Sequence, residues 1–217
     1  MADLHILTIF LLALSSNLDN IGVGTSYGAR GINIPFSSNL LIAVITSAGT
    51  FLSMTIGNGI STVINPDFAN AVGALLIGGT GVWVFIQELL RRDEDKGDAS
   101  ELLQETNFSN QSVFRKALTI LDHPFLADTD FSGHISVKEG FLLAFALTLN
   151  NLTNGIGAGL LGLNITLTTA FVVVLSIVTI WFGIQFGRYS GVHWFGRFSG
   201  RISGLILIFL GIYEYFN

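Results

Sequence analysis

Cysteine is absent from this sequence of 217 residues, and charged residues make up only 12% of it. Without cysteine the chain forms no disulfide and offers no thiolate to a metal ion. Soluble domains carry about 25% charged residues, whereas this chain is 50% hydrophobic. The composition therefore predicts an integral membrane protein. Its metal ligands, if it has any, should be oxygen atoms, which suit Mg²⁺, Ca²⁺ or Mn²⁺ better than Cu or Zn.

Basic residues are also scarce, with ten Lys and Arg against fifteen Asp and Glu. They form no basic face, so no nucleic-acid partner is expected. Neither a Walker motif nor a dinucleotide fingerprint occurs, so we expect no organic cofactor. No paired acids and no Ser-His or Cys-His constellation occur at a common depth, which argues against an enzyme.

Long apolar runs dominate what is present. A bilayer core of about 30 Å needs roughly 20 mostly apolar residues per helix. The N-terminus, MADLHI, lacks the basic segment of a signal peptide, so the first run is expected to be a retained helix. The sequence predicts an all-α integral membrane protein with six transmembrane helices: Ile6–Tyr27, Phe36–Ile56, Ala69–Leu90, Gly140–Leu163, Leu167–Gly187 and a shorter stretch, Ile202–Tyr213.

The basic residues predict the orientation of these spans. Arg30 follows the first span, a group from Arg91 to Lys138 separates spans three and four, and Arg188 to Arg201 separates spans five and six. The turns after spans two and four hold no Lys or Arg. Because short cytoplasmic loops are enriched in Lys and Arg, both termini should lie outside and residues 91–138 in the cytoplasm.

An internal repeat suggests how the spans are organised. Leu18-Asp19-Asn20-Ile21 in span one corresponds to Leu149-Asn150-Asn151-Leu152 in span four, and glycines follow both. Three spans per copy give the second copy the opposite orientation, which is a transporter design. We therefore expect two inverted three-helix repeats, residues 1–90 and 139–217, joined by the polar linker 91–138.

Polar residues inside two of the spans are the candidate site. An intramembrane carboxylate such as Asp19 costs about 2.5–3.5 kcal/mol on insertion scales and usually faces a partner, a cavity or an ion. Ser15 and Ser16 can share its helix face. The amide-rich run LTLNNLTN in span four suggests a water-filled or ion-lined surface. The predicted transport path comprises Asn17, Asp19, Asn20, Thr148, Asn150, Asn151, Thr153 and Asn154.

A calcium-loop pattern, DTDFSGHISVKE, directly precedes span four. Numbered as a twelve-residue loop, it offers Asp128, Asp130, Ser132, the carbonyl of His134 and a bidentate Glu139 as ligands. Ser136 and Glu139 also form a capping-box pattern, which would start the helix without any metal. Pro124 disrupts the entering helix, and no second loop is visible to pair with this one. Both interpretations stay open.

The halves and the loop together resemble the manganese efflux pump family, and most closely its YtaF-type sporulation-protein branch. The most specific likenesses are residues 17–24, NLDNIGVG, and residues 127–159. The resemblance implies six helices, a plasma-membrane location and export of Mn²⁺ or a similar divalent cation. The family acid of the first half maps onto Asp19, whereas that of the second maps onto position 150, where this chain has Asn150.

Three functions fit these features. The first is a secondary transporter that exports a divalent cation, bound at Asp19 and Asn150 and driven by an ion or potential gradient. The second is an exporter of a small organic solute, which an amide-rich path suits equally well. The third is a non-transporting membrane protein that recruits partners through residues 91–138. The expected partners are the lipid bilayer and a metal ion, Mn²⁺ or Ca²⁺, and the sequence is compatible with a homo-oligomer.

Overall fold

A computed structural model of the chain describes residues 2–90, 112–190 and 193–216, with the side chains of 2–5, 122, 125, 150, 190 and 193–197 outside the description. The described residues form helices and no β-strand. The α-helices are α1 (Ala2–Ala29), α2 (Phe36–Ser61), α3 (Pro66–Leu90), α4 (Val113–Asp122), α5 (Val137–Leu160), α6 (Ile165–Ser190) and α7 (His193–Phe216), and a 3₁₀ turn covers Pro124–Ala127.

Five helical segments are long and apolar enough to cross a membrane by themselves: Ile6–Ala29, Phe36–Ser61, Pro66–Leu90, Ile165–Tyr189 and Phe198–Phe216. Helix α5 bends by 47° between Val137–Leu149 and Asn151–Leu160, and these two parts make a further candidate span if they are taken together. The chain is thus a multi-pass membrane protein, all-helical and with five to six candidate spans within its described residues. The short helix α4 is amphipathic and lies within the 91–138 linker.

Helices α1 and α5 end in the same way, which strengthens the likeness between the halves. Gly31 and Gly162 follow these helices with φ of +73° and +69°. The N–H of Ile32 donates to the carbonyl of Tyr27, and the N–H of Leu163 donates to that of Ala158. Both are the six-residue closure of a Schellman motif, in which glycine adopts the left-handed conformation without steric cost.

The membrane helices contact mainly helices of the other half. The most extensive contacts join α1 to α6, α2 to α5 and α3 to α7, while consecutive spans share few contacts among the described residues. If the two halves are exchanged, α1 corresponds to α5, α2 to α6 and α3 to α7, and this set of pairs is unchanged. Each of these helices therefore buries its surface mainly against the other half.

Close backbone approach is what these pairs share. A side-chain carbon at Gly24 would lie 2.6 Å from the carbonyl oxygen of Ile180, and one at Gly183 would lie 2.6 Å from that of Ile21. In the α2–α5 pair, a carbon at Gly57 would collide with the carbonyl of Ile156. Small residues at helix contacts are how membrane helices gain dispersion contacts where lipid supplies no hydrophobic driving force.

The apolar residues divide between the interior and the outer surface. One buried cluster joins α1, α2, α5 and α6 to α4 and the acidic loop through residues such as Tyr27, Ile120 and Ile135. A second joins all the spans around Met54, Ile77 and Leu207. Large apolar side chains elsewhere point outward, as is expected of a surface that faces lipid: Phe51, Leu75, Trp83, Val178 and Phe209 are examples.

Two glycines of α2 allow a matched test of this packing. We expect Gly57→Ala to destabilise the protein by about 1–3 kcal/mol, because the added methyl group meets the backbone of α5. Gly59→Ala, two residues away, meets nothing within 4 Å, and it should be neutral or stabilising because alanine favours the helix. Thermal unfolding in detergent measures both. Equal melting temperatures for the two variants would contradict the close α2–α5 contact.

Candidate functional site

Asp19 lies at a polar cavity between helices of both halves. The cavity, called here the Asp19 cavity, is small, with room for about one water molecule. It is lined by Ser15, Ser16, Asp19, Thr80, Val84, Asn151, Asn154, Ser203 and Leu207. These residues belong to α1, α3, α5 and α7, so the space depends on how the two halves are assembled. Asp19 is partly buried, and its Oδ1 accepts a hydrogen bond of 2.8 Å from the backbone N–H of Asn20.

Two amides of α5 face the same space. Asn151 and Asn154 are three residues apart and therefore share a helix face. The Nδ2 of Asn151 donates to the carbonyl oxygen of Ser16 at 2.8 Å, and the Nδ2 of Asn154 reaches the Ser16 hydroxyl at 3.5 Å. The Oδ1 of Asn154 is buried and accepts no hydrogen bond. Buried polar atoms nearly always have a hydrogen-bond partner. An unpartnered oxygen at a cavity is therefore a candidate to bind a ligand.

A second cavity adjoins the first. It is no larger than about one water molecule, and Ser16, Asn151 and Asn154 line it as well. Its remaining lining is largely apolar and comes from α1, α2, α5 and α6: Leu12, Ala13, Thr50, Met54, Gly155, Ala158, Thr168 and Val172. The three shared residues therefore separate the two cavities and contribute polar atoms to both.

Helix α7 is held against α1 beside Asp19 by two reciprocal hydrogen bonds. The Ser15 hydroxyl donates to the Ser203 carbonyl at 2.9 Å, and the Ser203 hydroxyl donates to the Ser15 carbonyl at 2.7 Å. Ser203 and Thr80 were not among the sequence-predicted path residues. Each is an isolated hydroxyl in an apolar span, and such residues usually satisfy their own helix carbonyls, so the sequence pattern alone did not single them out.

Four predicted path residues do not line either cavity. Asn17 is buried and donates to the carbonyl of Ala13, and the Nδ2 of Asn20 donates to the Oδ1 of Asn17. The Thr148 hydroxyl donates to Ala144. Thr153 is exposed on the outer surface. A run of polar residues along a helix covers all of its faces, and only those one turn apart can share a cavity. The predicted contact of Asn150 with Asp19 involves a side chain outside the described part of the chain.

The acidic loop brings together three of its predicted ligands. Carboxylate oxygens of Asp128, Asp130 and Glu139 all lie within 4.8 Å of one another. The backbone N–H of Ser132 donates to both Asp128 and Asp130, and that of Gly133 donates to Asp128. Gly133 has φ of +73°, as the sharp turn of such a loop requires. These three side chains could hold a hard divalent cation.

The remaining predicted ligands of the loop bond to each other. The Ser132 hydroxyl donates to the His134 carbonyl at 3.0 Å, so both groups are partnered within the loop. The capping box is present as well. The Ser136 hydroxyl accepts from the N–H of Glu139, and the Glu139 carboxylate accepts from the N–H of Ser136. The first turn of α5 is therefore capped by the protein itself, as the alternative interpretation of this segment predicted.

The two aspartates of the loop differ in proton affinity. Burial raises the pKa of Asp128 above its usual range, against the effect of the Gly133 N–H, which lowers it. The Ser132 hydroxyl and backbone N–H hold the pKa of Asp130 below its usual range. Asp130 is thus the more readily ionised of the two, because it is exposed and its charged form receives the donated hydrogen bonds.

The loop pairs with a segment that is not a second calcium loop. The N–H of Asn33 donates to the Gly133 carbonyl at 2.8 Å, and the N–H of Ile135 donates to the Asn33 carbonyl at 2.9 Å. The Ser38 hydroxyl donates to the Ile135 carbonyl. The partner is the connection between α1 and α2, which carries no loop pattern of its own and was therefore not recognisable. The loop thus links α1 and α2 to the start of α5.

Several known proteins resemble this chain in sequence. The family described as "Putative manganese efflux pump" matches residues 124–213. "Probable sporulation protein YtaF" of Bacillus subtilis (strain 168) is 33% identical over 97% of this chain and 100% of its own. "Putative manganese efflux pump MntP" of Bacillus pumilus (strain SAFR-032) is 24% identical over 96% of this chain and 94% of its own. That of Clostridium perfringens (strain SM101 / Type A) is 22% identical over 96% and 93%.

The class of protein is thus a multi-pass membrane protein, and some of its relatives are named as putative efflux pumps. The chain belongs to the manganese efflux pump family, and its likeness to YtaF extends along nearly its whole length. No solved structure matches it significantly.

The capping box provides a test of what holds the start of α5. Ser136→Ala should destabilise the protein by about 0.5–2 kcal/mol, because the N–H of Glu139 loses its acceptor. Ser136→Thr keeps a hydroxyl and should be close to wild type. Thermal unfolding in a chelator measures the effect without any cation. If Ser136→Ala and Ser136→Thr unfold alike, the capping box does not stabilise this helix.

Proposed function

We propose that this protein is a secondary transporter that exports a divalent cation, Mn²⁺ in the first instance, through the Asp19 cavity. One observation carries the proposal. A carboxylate inside a span shares a cavity with the amides of Asn151 and Asn154, and one of those amides has an oxygen without a hydrogen-bond partner. Oxygen ligands of this kind are those that hard divalent cations prefer. A carboxylate in lipid is otherwise costly and therefore rare.

The proposal includes six spans, two inverted three-helix repeats and both termini outside. The exchange-symmetric helix pairs and the matching ends of α1 and α5 support the repeat. The bend of α5 supports counting its two parts as one span, because transporters commonly break a helix at their substrate site. The distribution of Lys and Arg supports a cytoplasmic 91–138 segment in the plasma membrane.

Charge is the feature in which this chain departs from its family. The resemblance implies an acid in each half, and here the second is Asn150. One carboxylate with several neutral oxygens neutralises a divalent ion incompletely, so binding should be weaker than at a two-acid site. Weak binding suits export, because a transported ion must also leave its site. No nucleotide-binding motif is present in the sequence, so a gradient would supply the energy.

The transport proposal predicts opposite effects at two positions. Asp19→Asn should reduce Mn²⁺ export by at least about tenfold, because the cavity loses its negative charge. Asn150→Asp should tighten Mn²⁺ binding, because it adds a second carboxylate. Mn²⁺ flux from loaded proteoliposomes and the Mn content of cells expressing each variant measure these effects.

Thr153→Val is the matched control, since Thr153 lies on α5 like Asn150 but is exposed on the outer surface. It should export Mn²⁺ like the wild type. If Asp19→Asn also exports normally, the ion site is wrong, and export of a small organic solute or recruitment of partners becomes the better function. Repeating the measurement with Ca²⁺, Mg²⁺, Fe²⁺ and Co²⁺ would identify the preferred ion.

The acidic loop is proposed as a second, cytoplasmic cation site that acts on the transporter. The convergence of the Asp128, Asp130 and Glu139 carboxylates supports it. The hydrogen bonds of the loop to Asn33 and Ser38 connect it to α1 and α2. A cation bound there would change the position of Glu139, which caps α5, the helix that carries Asn151 and Asn154.

Isothermal titration of the purified protein with Ca²⁺ and with Mn²⁺ tests the loop. The double variant Asp128→Ala/Asp130→Ala should lose one binding event that the wild type has. Asp67→Ala, which removes an exposed acid from the first turn of α3, should keep it. If the wild type and the double variant titrate identically, the loop is a helix cap and no metal site.

A further inference from the structure

Helices α1 and α6 carry a second polar contact, on a different face of α1 from Asp19. The two helices run in parallel, because Gly24 meets Ile180 and Gly183, while Gly28, one turn later, meets Ile184 and Arg188. Asn20 lies one turn before Gly24 on the same face, and Ser176 lies one turn before Ile180. Asn20 and Ser176 therefore lie within one turn of each other along the α1–α6 contact.

Helix α2 contributes a third polar group at this level. The Nδ2 of Asn39 donates to the carbonyl oxygen of Ile177 at 3.1 Å. Ile177 is the chain neighbour of Ser176, so the Asn39 amide lies beside the Ser176 backbone. The three residues, which we call the neutral-oxygen site, are Asn20, Asn39 and Ser176. They come from three helices, α1, α2 and α6.

Each residue of this site has one buried oxygen without a hydrogen-bond partner. These atoms are the Oδ1 of Asn20, the Oδ1 of Asn39 and the Oγ of Ser176. The residues are 1%, 5% and 0% exposed, respectively. Half of the six unpartnered buried side-chain atoms found among the described residues thus belong to this one level of the bundle. An amide oxygen can only accept, so what would satisfy the two Asn side chains is a donor or a cation.

The chemistry of the three oxygens favours a singly charged ion. All of them are neutral, so nothing at the site offsets a second positive charge. The cost of removing an ion from water rises with the square of its charge, which makes a divalent ion far less suitable here than at Asp19. Neutral carbonyl oxygens are the ligands that bind Na⁺ in the interior of transporters.

We propose that Asn20, Asn39 and Ser176 bind a monovalent alkali cation, Na⁺, whose gradient drives export through the Asp19 cavity. The coupling to export rests on the proposed function, whereas the binding of the ion does not. The two sites are adjacent on α1, since the backbone N–H of Asn20 donates to the carboxylate of Asp19. Movement of Asn20 towards an ion would therefore shift the hydrogen-bond donor that Asp19 uses.

The decisive variant is Ser176→Ala, because it removes only an unpartnered hydroxyl and so should fold as well as the wild type. The purified protein is titrated with radioactive ²²Na⁺ in choline chloride at constant ionic strength. The wild type should bind Na⁺ and should melt at a higher temperature in NaCl than in choline chloride. Ser176→Ala should bind Na⁺ about tenfold more weakly, and the rise in melting temperature should disappear.

Ser47→Ala is the matched control. It removes a buried serine hydroxyl from α2 that is already satisfied by the Val44 carbonyl, so its Na⁺ response should equal that of the wild type. If Na⁺ neither binds to the wild type nor raises its melting temperature, the neutral-oxygen site holds water only and the proposal is overturned. The proposal is also overturned if Ser176→Ala and Ser47→Ala show the same response to Na⁺.

Flux measurements separate this proposal from the proposed function. Mn²⁺ efflux from proteoliposomes should require an inward Na⁺ gradient in the wild type and should lose that dependence in Ser176→Ala. If Mn²⁺ efflux does not depend on Na⁺ and the wild type binds no Na⁺, the neutral-oxygen site is overturned, whereas the proposal of Mn²⁺ export is not. Na⁺ binding without any Mn²⁺ efflux would support the site and overturn its coupling to export together with the proposed function.

Discussion

Helices α1 and α6, and likewise α2 and α5, approach so closely at their glycines that no side chain fits between the backbones. Lipid tails are as apolar as leucine, so such contacts rather than hydrophobic burial hold membrane helices together. They determine the rotation of each helix about its axis. That rotation directs Asp19 towards the cavity, Asn20 towards α6 and the large apolar residues towards lipid.

The same contacts explain why polar side chains lie where the halves meet. A buried polar group must find a partner, and in the membrane the only partners are other helices, a ligand or enclosed water. Ser15 and Ser203 satisfy each other across α1 and α7. Asn151 is satisfied by the backbone of α1. The oxygens that stay without partners are not scattered, since Asn154 lies at the Asp19 cavity, and Asn20, Asn39 and Ser176 lie at one level of α1, α2 and α6.

The acidic loop couples the linker side of the protein to this arrangement. It is paired with the connection between α1 and α2 through Asn33, and its last acid caps α5. The loop is therefore in contact with the connection between α1 and α2 and with the first turn of α5. The two halves also differ in charge, because Asp19 is an acid and Asn150 is an amide. The set of helix pairs is thus unchanged when the halves are exchanged, whereas the polar residues that it brings together are not.

The sequence by itself determined the class of the protein and much of its helical layout. Long apolar runs and few charges indicate a protein that lies in lipid. The first five predicted spans agree with the observed helices to within a few residues, whereas the last helix begins at His193 rather than at Ile202. The sequence also identified Asp19, Asn151 and Asn154, because polar residues in a span are rare enough to be conspicuous. Only the tertiary structure decided which of the neighbouring polar residues share a cavity. Asn17, Thr148 and Thr153 look equivalent to the others in the sequence, but the rotation set by backbone contacts between the halves turns them away. That rotation depends on residues more than a hundred positions apart, which no local pattern can express.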